Sequence, residues 1–235
     1  MMNLKEYKNK IINADCLDVL RKLPDKCVDL VLTDPPYGIG SKFKSKFGLN
    51  VAYKEYDKFD WNNKIPSEEI FMEMFRVSKH QIIFGGNYFT VHLKPTNAWI
   101  VWDKIGQYNL KNPFSDCELA WTSFSFPMKK YTNVNMGFIT GKEEKGKRIH
   151  PTQKPLKLFQ AILQDFSKPG NIILDPFSGS GTTAVAAHNL GRRFVCIEKD
   201  RGYWEASVKR LEDARKQISI FELPQNKNLT TKGIK

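Results

Sequence analysis

Short apolar runs, separated by stretches of helical periodicity, organise this chain. Residues 28–34 (VDLVLTD), 98–103 (AWIVWD), 171–175 (NIILD) and 193–198 (RFVCIE) are almost continuously apolar and β-branched. That is the pattern of strands covered on both faces, as in a parallel sheet. Weaker runs at 10–14 (KIINA), 81–85 (QIIFG) and 117–122 (CELAWT) bring the expected strands to seven. Between them, apolar positions recur at helical spacing over 16–22, 67–78, 155–167, 182–190 and 202–217. Strands alternating with helices predict an α/β fold, doubly wound around a mostly parallel seven-stranded sheet, in one domain over residues 1–235.

Two stretches escape this pattern. Residues 38–64 are rich in Lys, Phe, Tyr and Gly, and residues 104–150 hold a single expected strand among turn residues and a basic end. Loops this long in a compact domain are functional or disordered.

Composition narrows the partners. A formal charge of +12 with a pI near 9.4 favours a polyanion, either nucleic acid or an anionic membrane. No apolar run reaches the roughly 18 residues of a membrane span, and the start of the chain lacks the apolar segment of an export signal, so a soluble cytoplasmic protein is expected. The four cysteines (Cys16, Cys27, Cys117, Cys196) are scattered, without metal-ligand spacing. They are expected to be small buried hydrophobes in a reducing compartment, with no metal site and no disulfide framework.

Two stretches carry chemistry. In LVLTDPPYGIG (30–40) a strand ends in Asp34, Pro35 and Pro36 lock two φ angles, and Tyr37 presents an aromatic face. Such a stiff polar corner is suited to holding a ligand, and a rigid strand-to-loop connection with an incidental acid is the alternative. In NIILDPFSGSGTT (171–183) a strand ends at Asp175, and Gly179, Gly181 and Ala184 satisfy the G-x-G-x-x-A pattern that lets a nucleotide approach the backbone. The next strand ends in Glu198, where a carboxylate can accept the ribose hydroxyls. The turn lacks the lysine of a phosphate-binding loop. Asp175 beside it suits an amine-bearing or cationic ligand better than a pyrophosphate, and S-adenosylmethionine meets that description. An ordinary structural turn is the alternative.

With both stretches in view, the chain resembles the DNA amino-methyltransferases. DPPY is similar to their catalytic motif and DPFSGSGT to their cofactor motif. The catalytic motif comes first, as in the circularly permuted β group, and HPTQKP (150–155) and NADCLDVL (13–20) resemble further segments of that group. The resemblance spans residues 10–215. It implies a permuted, Rossmann-like methyltransferase fold and S-adenosylmethionine as donor, leaving S-adenosylhomocysteine, with no metal. The implied acceptor is the exocyclic amine of adenine in DNA, since an Asp in first position accompanies adenine enzymes. Cytosine N4, RNA or a protein amide are the alternatives. Methylation at cytosine carbon is excluded, because it needs a cysteine nucleophile and no Pro-Cys pair occurs.

The resemblance also assigns residues. Asp34 and the Pro35 carbonyl accept the amine's N–H bonds, Pro36 stiffens the corner, and Tyr37 stacks on a flipped base. Asp175, Phe177, Gly179, Ser180, Gly181 and Thr182 surround the methionine moiety of the donor, with Glu198 on its ribose. Asp15 and Cys16 are candidates for its adenine ring, although Asp15 equally suits a helix N-cap. Thr152, Gln153 and Lys154 are placed at its carboxylate, with a solvated charge as the alternative for Lys154. Gly85 and Gly86, at a strand end, are expected to line the base pocket, with a tight structural turn as the alternative. From the residues themselves, lysines interleaved with Phe, Tyr and Trp directly after the corner assign phosphate contacts to Lys42, Lys44 and Lys46 in a DNA-facing loop over 38–64, with a plain solvated loop as the alternative. Lys129, Lys130, Lys147 and Arg148 are assigned to a short target-recognition region over 123–150. That shortness implies a short recognition site, a homodimer or another partner. A bacterial or phage origin and a cognate restriction nuclease are implied in the same way.

Overall fold

The apolar runs pair into one sheet in a computed structural model of the chain, which describes residues 4–39, 64–107, 115–136, 139–140, 149–150 and 152–222. In chain order the elements are β1 (Lys10–Asn13), α1 (Cys16–Leu20), β2 (Val28–Thr33), α2 (Glu68–Val77) and β3 (Ser78–Phe84). Then come β4 (Trp99–Asp103), β5 (Cys117–Thr122), β6 (Lys129–Thr132), β7 (Asn135–Met136) and β8 (Ile139–Thr140). The chain continues with α3 (Leu156–Phe166), β9 (Ile172–Asp175), α4 (Thr182–Asn189), β10 (Arg193–Glu198) and α5 (Arg201–Glu222).

The sheet has eight strands among the described residues, in the order β1-β10-β9-β2-β3-β5-β4-β6. Pairings are parallel except those of β5 with β3 and β4. The mostly parallel, doubly wound expectation therefore holds, but the strand count rises from seven to eight. The additional strand, Lys-Lys-Tyr-Thr, is polar and largely exposed, so it carries no apolar alternation to read. Its strand character comes from pairing with β4, with Val101 opposite Lys130. The hairpin of β7 with β8 was likewise not expected.

Strand side chains alternate between two apolar layers. Leu30, Leu32, Ile82 and Phe84 join Phe159, Ile162, Ala184 and Leu211 from α3, α4 and α5. Val28, Val31 and Ile83 join Val19, Leu20, Phe71 and Met74 from α1 and α2. The chain leaves β9 through α4 on one face toward β10, and leaves β2 through α2 on the other face toward β3. Winding thus reverses between the neighbours β9 and β2, which opens a crevice beyond their carboxyl ends. Among the described residues no helix is long and apolar enough to cross a membrane. Cys16 and Cys196 are buried as expected, whereas Cys27 is half-buried and Cys117 is exposed near the start of its strand.

Candidate active site

The two motifs meet at that crevice. β2 and β9 run in register, Leu30 opposite Ile173 and Val31 opposite Leu174, so Asp34 and Asp175 leave adjacent strands at the same edge. The Thr33 hydroxyl donates to Asp175 Oδ1 at 2.7 Å and ties the strand ends together. Thr183 donates to Oδ2 at 2.5 Å and the Phe177 N–H to Oδ1 at 3.1 Å. Asp175, expected beside the donor, is thus a buried brace, 3% exposed, that fixes the turn from beneath.

That brace has a measurable cost. Burial, only partly offset by the three donors, raises the Asp175 carboxyl from 3.8 to about 6. The protonated form is favoured in the folded state, so this group's contribution to stability is complete below about pH 4 and lost as pH rises through about 6. At about 1.4 kcal/mol per pH unit the change approaches 3 kcal/mol. Asp175→Asn should abolish this portion of the pH dependence. Thermal unfolding at pH 4 and 7.5 should find the variant gaining on wild type toward the higher pH.

Glu198 clamps the turn from the other side. Its Oε2 accepts the Gly179 N–H at 2.7 Å and its Oε1 the Asp200 N–H at 2.8 Å. Burial raises this carboxyl above the ordinary carboxylate range despite both bonds. Gly181 caps α4 with φ +74°, and a Cβ there would lie 3.0 Å from Ser207, so the position demands glycine twice over. Arg210 of α5 donates to the Ser180 carbonyl at 3.1 Å and to Thr182 Oγ1 at 2.9 Å, fastening the turn to the last helix. On the neighbouring edge Asp15 caps α1, accepting the Leu17 N–H at 3.0 Å, and pairs with Lys199 at 2.9 Å. Cys16 is buried beside it, its thiol pushed up to about 12 by burial, so it offers an apolar wall and not a thiolate.

The Asp34 corner is more crowded than its sequence implies. Tyr37 is half-buried, not exposed: its hydroxyl donates to Asp34 Oδ1 at 2.6 Å, and its ring stacks on Tyr88 at 4.8 Å and 14°. Gly85, at φ +70°, lies directly beneath that ring. Lys154, expected at the donor's carboxylate, instead sends its ammonium to Asp34 Oδ2 and, at 3.1 Å, to Glu118 Oε2. Lys104 pairs with the other oxygen of Glu118 at 3.2 Å. Tyr37, Phe84 and Trp102 place their rings 5.6, 5.5 and 6.0 Å from the Lys154 nitrogen.

Other expected residues are more scattered. Thr152 is exposed and bonds to His150, while Gln153 is buried with its amide oxygen accepting the Ile149 N–H at 3.2 Å. Lys129 and Lys130 stand exposed on the edge strand, paired with Asp165 at 3.0 Å and Asp103 at 3.3 Å. Lys42, Lys44, Lys46, Lys147 and Arg148 lie outside the described residues, as do nearly all of the 38–64 loop and the basic end of the 123–150 region. Sequence reasoning missed Glu118, Lys104, Thr33, Thr183, Tyr88 and Arg210. One signal was available for Glu118, a lone acid within the strand CELAWT.

Similarity to known proteins agrees with this geometry. The profile of a family described as DNA methylase matches residues 95–209. The chain is 31% identical to the presumed methylase YubD of Escherichia coli (strain K12), over 86% of this chain and 90% of that one. It is 27% identical to the type II methyltransferase M.HinfI of Haemophilus influenzae, over 94% of this chain and 73% of that one. Two solved structures share the fold. One is a presumed DNA modification methylase from Thermus thermophilus complexed with S-adenosyl-L-methionine, at TM-score 0.54, 21% identity and 87% and 95% coverage. The other is PvuII DNA methyltransferase, described as cytosine-N4-specific, at TM-score 0.53, 17% identity and 87% and 90% coverage.

Proposed function

This chain belongs to the DNA amino-methyltransferase family, and from that premise we propose that it methylates the exocyclic amine of adenine in DNA with S-adenosylmethionine as donor. One observation carries the reading: the Asp34 corner and the glycine turn, far apart in the chain, leave adjacent parallel strands at the switch point of the sheet. A base amine held at one and a donor held at the other would be neighbours.

The residues present fit that donor. Glu198 and Asp15 supply carboxylates at the ends of the paired strands β10 and β1, the left-handed glycines keep side chains off the turn, and Phe177 is half-buried beside it. Within the turn there is no lysine to favour a pyrophosphate. We assign Glu198 to the ribose, Gly179 to Thr182 to the methionine portion and the Asp15–Cys16 edge to the adenine ring. When bound, S-adenosylmethionine supplies an activated methyl group on a sulfonium.

The chain's own contribution is positional. The target base must leave the duplex to reach Asp34. Its amine is a weak nucleophile because the nitrogen lone pair is delocalised into the ring. The Asp34 carboxylate and the Pro35 carbonyl accept the two N–H bonds, which favours a pyramidal nitrogen whose lone pair is no longer conjugated with the ring and is free to attack the methyl group. Asp34 retains acceptor capacity beyond its bonds from Tyr37 and Lys154, since a carboxylate offers about four lone-pair sites. The net charge of +12 supports a polyanionic substrate. Adenine over cytosine rests on Asp34 in first position.

Incubation with methyl-labelled donor and mixed-sequence DNA, followed by digestion to nucleosides, tests both levels. Labelled N6-methyladenine is expected. Labelled N4-methylcytosine would overturn the choice of base and keep the amino-methyltransferase, whereas no label in DNA would overturn the reading.

A further inference from the structure

Beyond the acceptor itself, the corner contains a chain of alternating charge: Asp34, Lys154, Glu118, Lys104. Building it is expensive, because ionised groups lose hydration when buried and break even only with good partners. The side chains of Asp34, Lys154, Glu118 and Lys104 are 15%, 7%, 23% and 16% exposed, so Lys154 is the most buried of the four. Three aromatic rings wall in the Lys154 ammonium. Its backbone faces elsewhere: the Lys154 carbonyl accepts the Thr182 hydroxyl of the glycine turn at 3.2 Å. One residue therefore touches the turn with its main chain and the acceptor with its side chain.

We propose that Lys154 is a positioning residue for Asp34, keeping the buried carboxylate ionised and aimed as an acceptor, and that Glu118 tunes this by competing for the same ammonium. The proposal rests on Asp34 accepting the base amine. A protonated Asp34 would present an O–H toward the amine and lose acceptor capacity. Without a cation, a buried carboxyl becomes protonated at neutral pH. Burial, opposed by Lys154 and reinforced by Glu118, holds the Asp34 carboxyl above the ordinary carboxylate range. The two carboxylates in turn raise the Lys154 ammonium against the effect of burial, so it stays charged. Among the described residues, the Tyr37 phenol also donates to the acceptor at 2.6 Å, and the Asp175 carboxyl lies near enough for Asp34 to raise its proton affinity. Tyr88 lies behind Tyr37 and Lys104 behind Glu118.

The test compares Lys154→Met, Lys154→Arg and Glu118→Gln in the full chain. In Lys154→Met the acidic limb of the kcat–pH profile should move up by about 1–3 pH units, with donor affinity by calorimetry unchanged. Lys154→Arg should restore most of the profile. Glu118→Gln should move the limb the opposite way, because Lys154 then serves Asp34 alone. Opposite shifts are a signature that loss of packing would not produce. Titration of the Asp34 carboxyl by carbon-13 NMR should follow the same order, and it needs no turnover. Wild-type protein that fails to methylate DNA would overturn the functional reading while this titration still judged the ion pair. Reduced donor affinity in Lys154→Met with an unmoved Asp34 titration would overturn the proposal and return Lys154 to the donor's carboxylate. Shifts of the same sign in Lys154→Met and Glu118→Gln would overturn it as well.

Discussion

Asp34→Ala should cut methyl transfer by about 1,000-fold or more while the donor still binds. Removing one preorganised partner of a reacting group typically costs 10²- to 10³-fold, and Asp34 is the only charged acceptor proposed for the amine. The donor's proposed contacts, at Glu198 and the glycine turn, are braced by Asp175, Thr33 and Thr183 and not by Asp34. Asp34→Asn should lose less, about 10- to 100-fold, since the amide keeps one carbonyl acceptor in nearly the same place. Single-turnover kinetics with saturating donor, paired with calorimetry of donor binding, separate the two effects. Equal loss of binding and turnover in Asp34→Ala would mean that the corner and the turn form one site for the donor alone.

Gly85→Ala should disable the corner without touching any charged group. A Cβ at Gly85 would lie 2.1 Å from Tyr37 Cε1, with two further ring atoms within 2.7 Å. The residue also sits at φ +70°, where alanine is strained. The Tyr37 ring cannot yield without leaving both its stack on Tyr88 and its bond to Asp34. Strain and displacement together should destabilise the fold by about 2–4 kcal/mol, a fall in Tm of roughly 4–16 °C for a domain of this size. Turnover should drop with it. Adding Tyr37→Ala removes the clash, so the double variant should be more stable than the sum of the single effects. Strict additivity would show that the Tyr37 ring already avoids Gly85 in solution.

The two predictions differ in how far the chain alone foreshadowed them. The Asp34 corner was legible because its signal is local: an apolar run, an acid and two prolines identify a strand end and a fixed corner from sequence neighbours only. Asp175 was legible as to position, but the partners that hold it were not. Its place before the glycines suggested a ligand for the donor, yet its oxygens are occupied by Thr33, Thr183 and a backbone N–H. Thr33 belongs to a distant strand, and Lys154 is a similar case. Within HPTQKP it reads as a donor contact or a solvated charge, and only packing carries its side chain to Asp34, 120 positions away.

Gly85 shows the remaining gap. Its glycine is visible as a strand end, but the reason for it is a tyrosine 48 residues upstream in sequence. Strand β6 was missed for a related reason, since a polar edge strand takes its structure from its partner and not from its own side chains.

The sequence by itself therefore determined the class of fold, the strand ends that carry the motifs and the kind of chemistry they suit. Hydrophobic period, proline and glycine act over a few neighbouring residues, and that is enough to specify such features. Only the tertiary structure decided which groups share the crevice. It put Glu118, Lys104 and Lys154 in series with Asp34, made Asp175 a brace and seated Tyr37 on Gly85. Contacts of this kind depend on which strands lie side by side and how deeply each charge is buried, and neither property is held in any short stretch of chain.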